Sequence, residues 1–205
     1  MSEVVPQRLE STRATYKDVL EAPEHRVAEI VDGVLHTHPR PAMPHALASS
    51  RLGGELGGPF DRGRGGPGGW WIVFEPELHL GEDILVPDLG GWCRERMPDY
   101  PDTAYVTLAP DWACEVLSPS TRKLDLHVKR RVYAREGVRY LWFVDPLART
   151  LEVFELREDQ ASAGEGEGLA PGIRQWVLIG SAVDDDPINI RPFDAITFNL
   201  DGLWP

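Results

Sequence analysis

Two apolar runs, Trp112-Ala113-Cys114-Glu115-Val116-Leu117 and Tyr140-Leu141-Trp142-Phe143-Val144, are separated by a single amphipathic segment, and this arrangement restricts the fold more than any other feature of the chain. A strand that is apolar at consecutive positions is covered on both faces, so each run belongs inside a sheet. Ser118-Pro119 reads as a helix N-cap with proline at the first helical position, and Gly137 as a stop, which predicts a helix from Pro119 to Arg135. Strand, helix and strand in this order make a crossover between parallel strands, right-handed by the usual chirality rule. With strand-like runs on either side, the chain is predicted to be α/β (α+β), a mixed central β-sheet flanked by helices. Glu115 is the exception within its run. An ionised carboxylate there costs several kcal/mol unless a cation, a proton or water satisfies it.

Upstream, Thr15 to Ala22 has the pattern of a short helix capped by Ser11 or Thr12, and Arg26–Val31 and Val34–His36 form a hairpin turned by Asp32-Gly33. Together they predict an N-terminal helix-hairpin extension. Glu29 sits among alternating apolar residues, so it lies either at a sheet end in water or in a site. After Pro39, Pro41 and Pro44, helical spacing runs from His45 to Leu56, with His45 in the first turn as a capping or a site residue. Residues 57–69 are rich in Gly and Pro and carry Arg62 and Arg64. They read as a mobile loop, either a connector or an arm touching phosphate. Trp70 to Leu80 reads as one strand and Ile84 to Leu89 as another, in which Pro87 marks a bulge or end that aims Asp88 into a cleft. Residues 94–105 are irregular in pattern. Leu151–Leu156 and Gln175–Ile179 are strand-like, 157–174 reads as a long loose loop, and a last short element at Ile196–Leu203 docks Phe198 and Trp204.

The chain has 205 residues, 42% of them hydrophobic, enough for one substantial core, so a single domain over 1–205 is expected. No apolar run approaches the roughly 18 residues a membrane span needs, and the first residues lack the apolar block of a signal peptide. Cys93 and Cys114 are too few for a disulfide framework, which points to reduced, buried thiols and a cytoplasmic protein. A formal charge of −12 argues against broad attraction to nucleic acid but leaves room for a local basic site.

Glu29, Asp88 and Glu115 stand on elements that could meet. Crowded carboxylates raise one another's pKa unless a divalent cation holds them ionised, and an all-oxygen set suits Mg²⁺ or Mn²⁺. Asp125 and Lys129, four apart on the predicted helix, share a face; the ordinary reading of such a pair is a surface ion pair.

The order of these motifs resembles a known family. Arg26-Val27-Ala28-Glu29-Ile30-Val31-Asp32-Gly33, then His45, Val86-Pro87-Asp88-Leu89, Glu115-Val116-Leu117-Ser118-Pro119-Ser120-Thr121, Asp125 with Lys129-Arg130, Tyr133-Ala134-Arg135-Glu136-Gly137-Val138 and Tyr140-Leu141-Trp142-Phe143-Val144-Asp145-Pro146 are similar to the Uma-two family of restriction-endonuclease-like proteins, within the PD-(D/E)XK nuclease superfamily. The resemblance implies a restriction-endonuclease-like fold and metal-dependent cleavage of DNA. Asp88 and Glu115, with the Val116 carbonyl, would hold the metal, and Glu29 would complete its shell or bind a second ion. Two residues after Glu115 the superfamily has Lys and this chain has Leu117, so Lys129 would be the relocated basic group. His45, Asp125, Arg62 and Arg64 are candidate substrate contacts, and a homodimer suits cleavage of both strands. Two alternatives remain open from the residues: a nuclease fold used as an inactive binding scaffold, and a metal-dependent hydrolase of another phosphate ester.

Overall fold

The computed structural model describes residues 13–159 and 173–205. The caps expected at Ser11 or Thr12, and most of the loop expected at 157–174, lie outside them. Helix α1 (Tyr16–Leu20) is capped instead by Thr15, in a reciprocal box with Asp18. Strands β1 (Arg26–Val31) and β2 (Val34–Pro39) pair through the two-residue turn Asp32-Gly33. Both turn residues have positive φ, 53° and 79°, as a turn matching the right-handed twist of a hairpin requires.

The N-terminal hairpin does not stand alone. It joins β4 (Leu78–Leu80) and β5 (Asp83–Leu85) in a four-stranded sheet ordered β2-β1-β5-β4. The second sheet holds β3 (Trp70–Phe74), β6 (Leu89–Cys93), β7 (Trp112–Val116), β8 (Tyr140–Asp145), β9 (Thr150–Asp159) and β10 (Ile173–Val183), in the order β10-β9-β8-β7-β6-β3. Within it β7 and β8 are parallel, as the crossover requires, and the other pairs are antiparallel. Two segments expected to be single strands are divided between the sheets. The Trp70–Leu80 run breaks at Glu75-Pro76, where Glu75 takes φ 43°, and the Ile84–Leu89 run breaks at Val86-Pro87-Asp88. Proline cannot continue a ladder, so both breaks fall where the chain passes from one sheet to the other. The Glu75 N–H donates to the Asp88 carbonyl and ties the two crossings together.

Alternation along β7 and β8 divides the core. Trp112, Cys114, Val116, Trp142 and Val144 face helix α2 (Met43–Leu56) and its buried Leu52 and Leu56. Ala113, Leu117, Leu141 and Phe143 face the crossover helix, with Val132 and Tyr133. That helix begins at Arg122 rather than Pro119, because Ser118 to Thr121 make a turn whose Thr121 N–H donates to the Ser118 hydroxyl. It then passes through a π-helical turn, Asp125–Lys129, and finishes as α-helix at Arg130–Arg135. Gly137 follows with φ 76°, a left-handed C-terminal residue that releases the chain into β8. Gly137→Ala is expected to cost about 1 kcal/mol in urea unfolding, the penalty of a Cβ in that region.

The first part of the loop expected at 57–69 is helical, while 62–69 forms neither helix nor strand. Gly57–Asp61 continues α2 as a π-helical turn and puts Phe60 in the core, 4.7 Å from the Phe193 ring centroid, while Arg94 bonds Asp61 at 2.9 Å. The apolar Phe60 outweighs its glycine-rich neighbours. Strand ends also differ from expectation: β9 runs to Asp159 and β10 starts at Ile173, since cross-strand pairing extends regular structure through polar residues. In the last described segment, β11 (Pro187–Ile188) pairs with β12 (Phe198–Asn199); Phe198 and Trp204 are buried as expected, and Leu203 is buried with them. Cys114 is buried and Cys93 half-buried, both free thiols.

Candidate active site

The two sheets, α2 and the crossover helix enclose a cavity of about 240 Å³ at the seam where the chain crosses between sheets. Glu29, from β1, is fully buried and not at a wet sheet end. Glu115, from β7, points to the crossover-helix side through the same alternation that buries Ala113 and Leu117. Between these two carboxylates lies Lys129, 2% exposed, with Nζ 2.8 Å from Glu115 Oε1 and 2.9 Å from Glu29 Oε1. Its third carboxylate neighbour is Asp125 at 3.6 Å, and Nζ also lies 3.3 Å from the Val86 carbonyl. The Asp125–Lys129 pair, read from spacing as a surface pair, is therefore buried.

The π-helical turn explains why one helix can aim three side chains inward. Four residues overshoot an α-turn of 3.6 and fall short of the wider π-turn, so one step of each kind leaves Asp125, Lys129 and Tyr133 on one face. Tyr133 has no role in the sequence reading. It is fully buried and its hydroxyl donates to Glu115 Oε1 at 2.5 Å. Its sequence signals are the repeat of four from Asp125 and its place at the head of the Tyr133–Val138 motif.

Asp88 stands on the second crossing. Its Oδ2 accepts the Val116 N–H at 2.7 Å, and its Oδ1 lies 3.2 Å from Nε2 of His45, buried in the first turn of α2. His38, absent from the sequence reading, faces the cavity from β2 with Nε2 3.3 Å from Glu29 Oε2. The hairpin register could have found it, because Val27 pairs with His38 and Glu29 with His36, placing both histidines on the Glu29 face. The Nδ1 atoms of both His38 and His45 are buried without a partner. Ser118, Ser120 and Thr121 line the opposite wall, and Arg40 stands at the rim, 3.6 Å from Glu75. Arg62 and Arg64 are exposed and do not line this cavity.

Charge is unbalanced here. Burial pushes Glu115 well above the usual carboxylate range, and Asp125, Asp88 and Glu29 add to it against Lys129. Burial likewise lifts Asp125 to about 6. For Lys129 burial opposes the charged form, but Glu115 and Glu29, with Tyr133 and Asp125, outweigh it and hold the ammonium well above its ordinary value. Burial also works against a charged His45, and the hydrogen bond and charge of Asp88 overcome it; in His38 burial prevails and the pKa falls.

Among the described residues no three His, Cys, Asp or Glu side chains converge as a closed metal cage. A magnesium-type cation needs less: one or two carboxylates, with water and substrate oxygens filling the octahedron. Asp88 and Glu115, both lining the cavity and linked by the Asp88 Oδ2 bond to the Val116 N–H, are the residues that could hold such a cation.

Comparison with known proteins agrees with this architecture. The fold resembles the crystal structure of a putative nuclease belonging to DUF820 from Anabaena variabilis, with a TM-score of 0.66 and 19% identity over 93% of this chain and 97% of the other. No protein of curated function matches the chain. Residues 13–177 match the Uma2 family model, described as "Putative restriction endonuclease", and the chain belongs to that family.

Proposed function

We propose that this chain is a metal-dependent endonuclease that hydrolyses DNA phosphodiester bonds at the seam between its sheets. The observation that carries the reading is the position of Lys129: a buried cation bridging Glu115 and Glu29 beside Asp88, in a chain whose strand offers Leu117 where its superfamily has Lys. Asp88 and Glu115 would hold Mg²⁺ or Mn²⁺ with the Val116 carbonyl. The ion would supply an acidified water and a charge to set against the phosphate oxygens. Glu29, whose oxygens already meet Lys129, the Val86 N–H and His38, fits an anchor for Lys129 better than a ligand. Lys129 then offsets negative charge on the phosphate and orients the attacking water, while Tyr133 and His45 fix the carboxylates they touch. Arg40 at the rim is placed to meet a neighbouring phosphate.

Purified protein with Mg²⁺ or Mn²⁺ is expected to nick plasmid DNA. Asp88→Asn should abolish nicking and the heat of Mn²⁺ binding in calorimetry, with an unchanged circular dichroism spectrum. A variant that nicks like wild type overturns the assignment. A second reading has its own support, since Lys129, Tyr133 and His45 already satisfy the carboxylates internally: the fold could serve as a scaffold without catalysis. Failure of the wild-type protein to bind Mn²⁺ would favour it.

A further inference from the structure

A second concavity, of about 340 Å³, opens directly beside the acidic centre and shares Pro41, His45, Glu75 and Asp88 with it. Its distinguishing residue is Phe74, the last of β3, an aromatic left 49% exposed. The ring tip is lodged against α2 at Gly53, where an added Cβ would fall 1.9 Å from Phe74 Cζ. Helix and ring approach this closely only because Gly53 has no side chain. Phe74 pairs with Leu89 and the Glu75 N–H holds the Asp88 carbonyl, so the ring is fixed one residue from the Asp88 backbone. Glu75 adopts φ 43° to make this turn, a strained conformation at a position that shapes both cavities. The remaining lining is polar at the edges, through Ser49, Ser50 and Glu75.

We propose that this shelf takes an unpaired nucleobase stacked on Phe74, and that the chain therefore acts on single-stranded or locally unpaired nucleic acid in preference to duplex. The inference rests on the nuclease reading of the neighbouring centre. Glu115 and Lys129 are buried at the floor of a cavity walled by Pro39, Pro41, Ala42 and Pro119, so the scissile phosphate must enter it. In a duplex the adjoining base is paired and stacked inside the helix and cannot reach a side chain beyond Asp88. A nucleotide free of its partner can splay, leaving the phosphate at Asp88 and the base on Phe74. Every base has a face that stacks on an aromatic ring, so the shelf gives strandedness preference without sequence reading.

The test measures binding of a short fluorescent single-stranded oligonucleotide, and of its duplex, by anisotropy with Ca²⁺ in place of Mg²⁺, followed by cleavage in Mn²⁺. Wild type should prefer the single strand. Phe74→Leu, which keeps apolar volume against Gly53, should weaken single-strand binding about tenfold and duplex binding little, whereas Phe74→Trp should retain it. Equal cleavage of duplex and single strand, or a Phe74→Leu variant that binds like wild type, overturns the shelf while the nuclease reading stands. Absence of cleavage of either substrate removes both.

Discussion

Lys129→Met is expected to abolish nicking and to lower stability at neutral pH by about 3–5 kcal/mol, the range for removing one partner of a buried ion pair. The cause is the charge left behind: Glu115, Glu29 and Asp125 would remain buried around an apolar side chain. The pH dependence follows from the same groups. Glu115, already pushed up by burial from its ordinary 4.5, rises further without the cation, so the folded variant binds protons that the unfolded chain has released. Stability of the variant therefore falls as pH rises above the unfolded carboxylate range and returns on acidification. In the wild type the raised Lys129 pKa has a separate consequence: its contribution is complete below the unfolded value of 10.5 and is lost as pH rises through the still higher folded value. Urea unfolding of both proteins in mildly acidic and neutral buffer measures the difference. Coincident midpoints would mean that Lys129 does not neutralise the cluster.

Glu115→Gln separates chemistry from stability in the opposite direction. The amide keeps the shape and can still accept from Tyr133 and Lys129, and Glu29 remains as the ionic partner of Lys129. It removes one negative charge from a group that burial and three neighbouring carboxylates disfavour. Nicking should fall steeply, because a neutral amide is a weaker oxygen ligand than a carboxylate for the ion that Asp88 and Glu115 would hold. Stability at neutral pH should equal or exceed that of wild type, because a carboxylate whose folded pKa is raised destabilises the fold once the pH exceeds its unfolded value. A less stable but active variant would reverse both assignments and make Glu115 a structural residue.

The legibility of these residues in the sequence varied with how local their signals are. The Trp112–Leu117 and Tyr140–Val144 runs predicted parallel central strands, and β7 and β8 are that pair. Asp32-Gly33 fixed its hairpin, since two positive φ values in a two-residue turn are a local requirement. Pro87 marked the distortion beside Asp88 but not its meaning, because leaving one sheet for another depends on where the second sheet lies. Phe60 shows the converse error. Its glycine-rich surroundings read as a loop, and only the packing of its ring against Phe193 makes the segment part of the core.

The candidate site divides in the same way. Asp88, Glu115 and Lys129 could be named from spacing and motif order, yet spacing could not distinguish a buried Lys129 from a surface one. Its burial is decided by three elements distant in sequence: β1 bringing Glu29, β7 bringing Glu115, and a π-helical turn that rotates Lys129 between them. Tyr133, quoted in a motif without a role, and His38 gain their roles through tertiary contact, for a side chain acts here by what stands opposite it. The sequence by itself determined the two-sided strands, the turns and the inventory of charged groups, all set by local pattern. Which carboxylates share one cation, and the exposed Phe74 shelf beside them, only the tertiary structure decided, because electrostatics and stacking act through space over a few ångströms.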